Sequence, residues 1–224
     1  ASLHIETYNK IVSVCKGVLI EKPLYAANKD TEIRNICIDT KKKNTIIGYI
    51  LRFDPIIIKT KKLLEDNGLG NVIYASIWAG QDLKDWRPNI EYKNSVSAQR
   101  KLGGGVVHEL SHEIDYALHF FGKPDKISCE MRKYSDLDID VEDNAEIRFY
   151  YNSKVVNIHL DFCAKPANLG FMIQCKNGII KADFVKRKLF VERVGKEEEI
   201  NVDIENFSQL YQEQLRFLNR LVNR

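Results

Sequence analysis

Six short stretches between residues 127 and 193 constrain the fold more than any other part of the sequence. Apolar and polar side chains alternate within them, at about 127–134, 144–151, 154–163, 169–175, 178–184 and 187–193. Turn-forming residues separate neighbouring stretches, as in Tyr151-Asn152-Ser153 and Lys176-Asn177-Gly178. Alternation of period two that is interrupted by turns is typical of antiparallel strands. We therefore predict an open, mostly antiparallel sheet.

Residues 1–50 follow a different pattern. Residues 17–20 and 45–50 are apolar runs typical of buried strands, and residues 28–43 between them are charged with helical spacing. Such alternation is typical of a parallel α/β unit. Helices are also predicted over 55–65, where Pro55 opens the helix, over 105–121 and over 207–222. The predicted fold class is therefore α/β followed by α+β, with the helices on one face of the antiparallel sheet.

The other face of such a sheet would be open. One face of the strand at 154–163 carries the apolar side chains of Val156, Ile158, Leu160 and Phe162, and the other face carries the residues that alternate with them. The open face would carry one of these two sets. Because monomeric soluble proteins rarely expose a large apolar patch, we expect a homo-oligomer, a dimer or tetramer, built sheet to sheet.

Composition and charge narrow the function classes. The chain of 224 residues is 44% apolar and 29% charged, as in ordinary globular proteins. Its net charge of +3 comes from 34 basic and 31 acidic residues, which does not indicate a nucleic-acid partner. No apolar run is long enough for a membrane span. The five cysteines form no C-x-x-C pair, which indicates buried thiols in a reducing cytoplasm.

The sequence GGGVVHELSHEID contains the pattern H-E-x-x-H. On a helix this pattern brings His108 and His112 one turn apart, as in zinc metalloproteases, with Glu109 as the base. Helical spacing also puts Asp115 and His119 on the same side. A zinc site needs a third ligand, and the extended form of the pattern is not matched downstream. Two alternatives stay open, a zinc hydrolase and a structural helix with histidines at its edge.

Four motifs, in order along the chain, are similar to those of one known family. They are E-K-P at Glu21-Lys22-Pro23, R-F-D-P from Arg52, W-R-P from Trp86, and the GGGVVHELSHEID segment. Together they resemble the Gfo/Idh/MocA family, named for glucose–fructose oxidoreductase, inositol dehydrogenase and a rhizopine-catabolism protein. The resemblance runs from about His4 to the last predicted helix.

The resemblance implies an oxidoreductase that uses NAD or NADP and acts on a sugar, a cyclitol or a nucleotide-linked sugar. It implies that residues 1–51 are the C-terminal remnant of a Rossmann domain. Residues 52–224 would then form the substrate and oligomerisation domain, built on the open antiparallel sheet. The alternative is a non-catalytic binding or assembly domain that keeps the fold without the cofactor.

The same resemblance implies roles for individual residues. Lys22 would lie beside the nicotinamide and the substrate oxygen, His112 would meet the reacting hydroxyl group, and Glu109 would supply a neighbouring acid. No metal ion would be needed, and the peptide bond from Lys22 to Pro23 would be cis. Cofactor contacts are expected from Glu21, Lys22, Pro23 and Arg52. Substrate contacts are expected from Trp86, Arg87, His108 and Asp115.

Arg87 has two interpretations. Its guanidinium could hold a substrate carboxylate or phosphate with two hydrogen bonds. Alternatively, it could pair with Asp85 on the same loop.

One motif of the family is absent. No G-x-G-x-x-G sequence follows a strand and opens a helix, which is the arrangement that binds a dinucleotide pyrophosphate. The nearest match, at residues 68–73, is typical of a helix end and a turn. From the position of E-K-P we expect that the chain begins about two thirds of the way through a Rossmann domain.

Overall fold

A helix and two parallel strands form the first part of the structure. The computed structural model describes residues 3–24, 44–87 and 89–223. Helix α1 (His4–Ile11) precedes strand β1 (Gly17–Ile20), which pairs in parallel with β2 (Asn44–Ile47). This pairing confirms the parallel α/β pattern. The helix predicted over 28–43 lies outside the described residues.

The second strand ends earlier than the apolar run predicts. The strand predicted over 45–50 stops at Ile47, and a short 3₁₀ helix, Ile50–Phe53, follows. The Asp54 carboxylate then accepts a hydrogen bond from the Ile56 main-chain N–H at 2.8 Å. This cap starts helix α2 (Pro55–Glu65), which has the predicted bounds.

An eight-stranded sheet forms the larger part of the structure. Its strands are β3 (Val72–Gly80), β4 (Lys126–Arg132), β5 (Asn144–Tyr151), β6 (Lys154–Asp161), β7 (Asn168–Cys175), β8 (Gly178–Asp183), β9 (Lys188–Arg193) and β10 (Lys196–Glu199). They lie in the order β10-β9-β8-β7-β3-β6-β5-β4. In this sheet β3 and β6 run parallel, and the other neighbours are antiparallel. The prediction of an open, mostly antiparallel sheet is confirmed.

The strand order differs from a simple meander at one place. β3 lies between β6 and β7, so these two strands do not form a hairpin. Residues 162–167 connect them and can cross one intervening strand, because neighbouring strands lie about 4.8 Å apart. The charged strand β10 has no apolar alternation, which is why the sequence pattern misses it.

Helices cover one face of this sheet. α3 (Val106–Glu109) and α4 (Ser111–Phe121) pack against β3, β5 and β6. The core lies between them and the sheet, and its fully buried members include Val156, Ile158, Leu160 and Phe162. The open face therefore carries the alternates of these residues, among them Trp78 and His159.

The last helix, α5 (Ser208–Val222), returns to the first unit. It packs against β1, β2 and the 3₁₀ helix, and the ring centroids of Phe217 and Phe53 lie 5.7 Å apart. A Cβ atom at Gly17 would lie 2.5 Å from the Val222 side chain, so glycine permits this close contact. Neither α5 nor any other helix in the described ranges is long and apolar enough to cross a membrane.

The four cysteines within the described ranges are free thiols. Cys175 is buried, but Cys129 and Cys163 are exposed, so the expectation of buried thiols is wrong for these two. Cys129 lies on the edge strand β4, all of whose residues are exposed. Cys37 lies outside the described residues.

Candidate active site

Lys22 connects the end of β1 to the helices that bear the histidines. Its Nζ atom donates a hydrogen bond of 2.5 Å to the main-chain carbonyl of Glu109. The Lys22–Pro23 peptide bond is cis, as the resemblance implied. The Pro23 carbonyl oxygen lies 3.0 Å from His4 Nδ1, and the Glu21 side chain is exposed beside the turn. The turn thus fixes an ammonium group at the carboxyl end of a parallel strand, where α/β proteins bind ligands.

The helix predicted over 105–121 is broken at Leu110, so the prediction of one continuous helix is wrong. α3 ends at Glu109 and α4 begins at Ser111, while Leu110 has φ −97° and ψ 36°, outside the helical region. Helix ends leave main-chain carbonyls open to other donors, and Lys22 bonds the carbonyl of Glu109. Lys22 and Glu109 are 87 positions apart in the sequence, so helical spacing alone could not predict this contact.

The two histidines of the H-E-x-x-H pattern lie on either side of this break. His108 Nδ1 lies 3.1 Å from the main-chain carbonyl of Gly104, whereas His112 belongs to α4. Across residues 3–24, 44–87 and 89–223, no three His, Cys, Asp or Glu side chains are grouped so that they could hold a metal ion. The described part of the chain therefore supplies no third ligand for a zinc site.

His112 is held in its uncharged form. Its ring packs edge to face against Tyr49, with the centroids 5.6 Å apart. Burial, together with the positive charge of Lys22, lowers the pKa of His112 to about 3. Within the described residues its buried Nδ1 atom has no hydrogen-bond partner. A neutral imidazole near a fixed ammonium can accept a proton from a hydroxyl group while the ammonium stabilises the oxygen.

Glu113 is a further polar group at this site; it stands within the GGGVVHELSHEID segment, but the sequence analysis gave it no role. Its residue surface is only 3% exposed. Burial raises the pKa of Glu113 to about 8, against the opposing effects of a main-chain hydrogen bond and of the charge on Lys22. The sequence signal that could have found it is its place in that segment, next to His112, but burial of an acidic side chain depends on tertiary packing.

A cavity of about 490 Å³ brings His112 and Glu113 together. Gln81, at the end of β3, and Leu110, at the helix break, also line it. Much of the remaining lining is apolar or aromatic, with Leu169, Phe184, Val185, Ile204, Phe207 and Tyr211. The cavity therefore offers a few polar groups within mostly apolar walls, as small-molecule sites commonly do.

Arg187 and Asp54 form an ion pair in the wall of this cavity. The Arg187 Nη1 and Nη2 atoms donate to the two carboxylate oxygens of Asp54 at 2.7 and 3.1 Å, and Nη2 also donates to the Val202 carbonyl. Asp54 is fully buried. The arginine charge is thus balanced within the protein. The two residues are 133 positions apart, so the sequence gives no sign of the pair.

Arg52 and Asp115 form a second ion pair at a different cavity. The Arg52 Nε and Nη2 atoms each donate to an Asp115 carboxylate oxygen at 2.7 Å, and this hydrogen bonding raises the pKa of Arg52. With Tyr49 they line a cavity of about 290 Å³. His112 and Asp115, which helical spacing puts on one side, therefore line different cavities. The cofactor role of Arg52 and the substrate role of Asp115 stay predictions.

Trp86 and Arg87 lie outside the lining of the larger cavity. The Trp86 Nε1 atom donates to the main-chain carbonyl of Gln81 at 3.2 Å. Arg87 is exposed and has no ion pair within the described ranges, and Asp85 instead lies 3.3 Å from the Lys165 ammonium. The substrate contacts of Trp86 and Arg87 stay predictions.

The fold and the site define a class of protein with two parts. A parallel α/β unit carries a lysine, and this lysine contacts the helices that cover one face of a large, mostly antiparallel sheet. The chain belongs to the GFO/IDH/MocA family. The family model of the GFO/IDH/MocA C-terminal domain matches residues 57–181, more than half of the chain. This match confirms the resemblance that the motifs indicated.

Two relatives show how much of the chain is shared. Oxidoreductase P35 from Formosa agariphila is 30% identical over 151 residues, covering 63% of this chain and 45% of that protein. Glucose-6-phosphate 3-dehydrogenase from Bacillus subtilis is 23% identical over 167 residues, covering 71% of this chain and 47% of that protein. The chain thus spans about half the length of the curated relatives it matches.

Solved structures share the fold over nearly the whole chain. Levoglucosan dehydrogenase in complex with NADH and levoglucosan has a TM-score of 0.83 at 18% identity, covering 99% of this chain and 68% of that one. An oxidoreductase from Agrobacterium radiobacter in complex with NAD+, L-tartaric acid and magnesium has a TM-score of 0.79 at 14% identity, covering 99% and 67%. At these identities the likeness shows the fold.

Proposed function

We propose that this chain carries the substrate side of an NAD-dependent oxidoreductase that transfers hydride between the nicotinamide and a hydroxyl or keto carbon of a sugar-like molecule. The observation that carries the proposal is the neutral imidazole of His112 near the anchored ammonium of Lys22. Relatives named as oxidoreductases and dehydrogenases support it. Neighbours in complex with NAD+ or NADH support a nicotinamide cofactor.

The residues after β1 fit the nicotinamide end of such a cofactor. They lie at the carboxyl end of the parallel pair, the usual ligand edge of an α/β sheet. His112 Nδ1, which has no partner within the described residues, and the Lys22 ammonium leave polar atoms near this edge. Glu21 and Pro23 would contact the cofactor from the same turn, and Arg52 would do so from the 3₁₀ helix.

In the direction of oxidation, His112 accepts the proton of the substrate hydroxyl group. A bound nicotinamide would supply the acceptor for the hydride that leaves the carbinol carbon. Lys22 donates a hydrogen bond to the substrate oxygen as negative charge develops on it, because an ammonium has three donors and the Glu109 carbonyl uses one. The pKa of His112, about 3, would rise beside the developing alkoxide, since a nearby negative charge favours the imidazolium.

The proposal is tested with the full-length protein. NAD+ and NADP+ binding is measured by calorimetry, and the formation of reduced nicotinamide is followed by absorbance with levoglucosan, D-glucose, D-glucose 6-phosphate and UDP-N-acetylglucosamine. We expect NAD+ to bind and at least one sugar to be oxidised. A folded full-length protein that binds neither cofactor would instead be the non-catalytic domain of the same fold. Loss of activity on addition of a chelator would instead support the zinc hydrolase alternative.

A further inference from the structure

The carboxyl group of Glu113 has no part in the hydride transfer proposed above, yet it lines the same cavity as His112. Its Oε2 atom is buried and, within the described residues, has no hydrogen-bond partner. Buried polar atoms in folded proteins are almost always paired. An unpaired one in the lining of a cavity is therefore a candidate for contact with a ligand.

The cavity wall around Glu113 offers no free cation, among the described residues, to balance an anionic ligand. Among the described residues that line the cavity, Arg187 is the only lysine or arginine, and its guanidinium is bound by Asp54 through two hydrogen bonds. A phosphate or carboxylate on a ligand would lack a free cation there, and desolvating such an anion without a partner is costly. Apolar side chains instead offer contact to the C–H faces of a ring.

We infer that Glu113 is a substrate-binding residue whose carboxyl O–H donates a hydrogen bond to an oxygen of an uncharged, hydroxylated ring held in this cavity. The inference rests on the proposed function for the reaction and adds the ligand class and the residue that selects it. An acid that donates a hydrogen bond recognises a sugar oxygen and introduces no charge into an apolar cavity. An anionic sugar, by contrast, would find no free cation among the described residues of the cavity wall, since Lys22 lies outside that lining and bonds the Glu109 carbonyl.

The protonation of Glu113 agrees with this role. Burial raises the pKa of Glu113 to about 8, so the acid form predominates near neutral pH. A ligand that excludes more water from the cavity favours the acid form further. Ligand affinity should therefore weaken as the pH rises through about 8. Among the described residues, the ionisable groups around Glu113 or on the cavity wall are Lys22, His112, Tyr116, Arg187, Asp54 and Tyr211.

The test measures sugar binding to the full-length protein without cofactor, by saturation-transfer NMR. The matched ligands are D-glucose and D-glucose 6-phosphate, which differ by one phosphate, with levoglucosan as a second uncharged probe. In Glu113→Gln the amide still donates, so the Kd should stay within about threefold of wild type, whereas Glu113→Leu should raise it by about tenfold or more. Glu65→Leu, at the exposed end of α2, is the control and should change nothing.

The pH dependence separates binding from a structural role. The Kd of the wild type should rise above about pH 8, and Glu113→Gln, which cannot titrate, should lose that rise. The inference is overturned if no uncharged sugar binds, if glucose 6-phosphate binds more tightly than glucose, or if the pH profile of Glu113→Gln matches wild type. That last comparison decides the matter even if Glu113→Leu does not fold. Because no cofactor is present, failure of hydride transfer leaves this result intact.

Discussion

Replacing Arg187 with methionine should destabilise the protein by about 3 kcal/mol, because it leaves the buried Asp54 carboxylate without its charged partner. Removing one partner of a buried ion pair costs about 3–5 kcal/mol. Asp54 is fully buried, and within the described residues its carboxylate would keep only the hydrogen bond from the Ile56 N–H. The Arg187 side chain is 24% exposed, so water can approach the gap and the lower end of the range applies. Urea denaturation measures the loss as a shift of the midpoint at constant slope.

A double-mutant cycle supplies the control. Asp54→Asn should cost less, about 1–2 kcal/mol, because asparagine caps a helix as well as aspartate does and the arginine left behind is partly solvated. The double variant should then be more stable than the sum of the two losses by at least about 1 kcal/mol. A loss below about 1 kcal/mol in Arg187→Met, or strictly additive losses, would refute the view that the pair is one charge-balanced unit.

Three further outcomes follow from the contacts. Gly17→Ala should lower the free energy of unfolding by about 1–3 kcal/mol in urea denaturation, because its Cβ would overlap the last helix. Hydrogen bonding to Asp161 raises the pKa of His159 to about 9, so its stabilising effect is full below about pH 6.5 and is lost as the pH rises through about 9. His159→Gln should remove that part of the pH dependence of thermal unfolding. Trp78→Glu on the open sheet face should shift sedimentation of the full-length protein from oligomer to monomer, and a wild type that sediments as a monomer would contradict sheet-to-sheet assembly.

Much of the fold follows from local patterns. Alternation of period two located β5 to β9 closely, and Pro55 located the start of α2, because these signals depend only on neighbouring residues. The position of β3 between β6 and β7 did not follow, since strand order depends on which edge each strand reaches in three dimensions. The same holds for β10, whose charged residues show no alternation.

The candidate site was predictable only where a motif marks it. E-K-P and the histidine helix led to Lys22 and His112, whose proximity the charge effect on the histidine supports. Glu113 and Arg187 escaped notice, because one is recognised by its burial and the other by a partner 133 positions away. The break at Leu110 likewise reflects tertiary contacts that helical periodicity does not encode.

The most direct test of the central claim compares His112→Ala with His108→Ala in the full-length protein. If His112 handles the proton, its loss should lower kcat by roughly two to four orders of magnitude and hardly change KM for the cofactor. His108, whose ring bonds the Gly104 carbonyl, should cost much less, and chelators should have no effect. Equal and severe losses from both variants, with one zinc ion per chain, would contradict the account and support a zinc site.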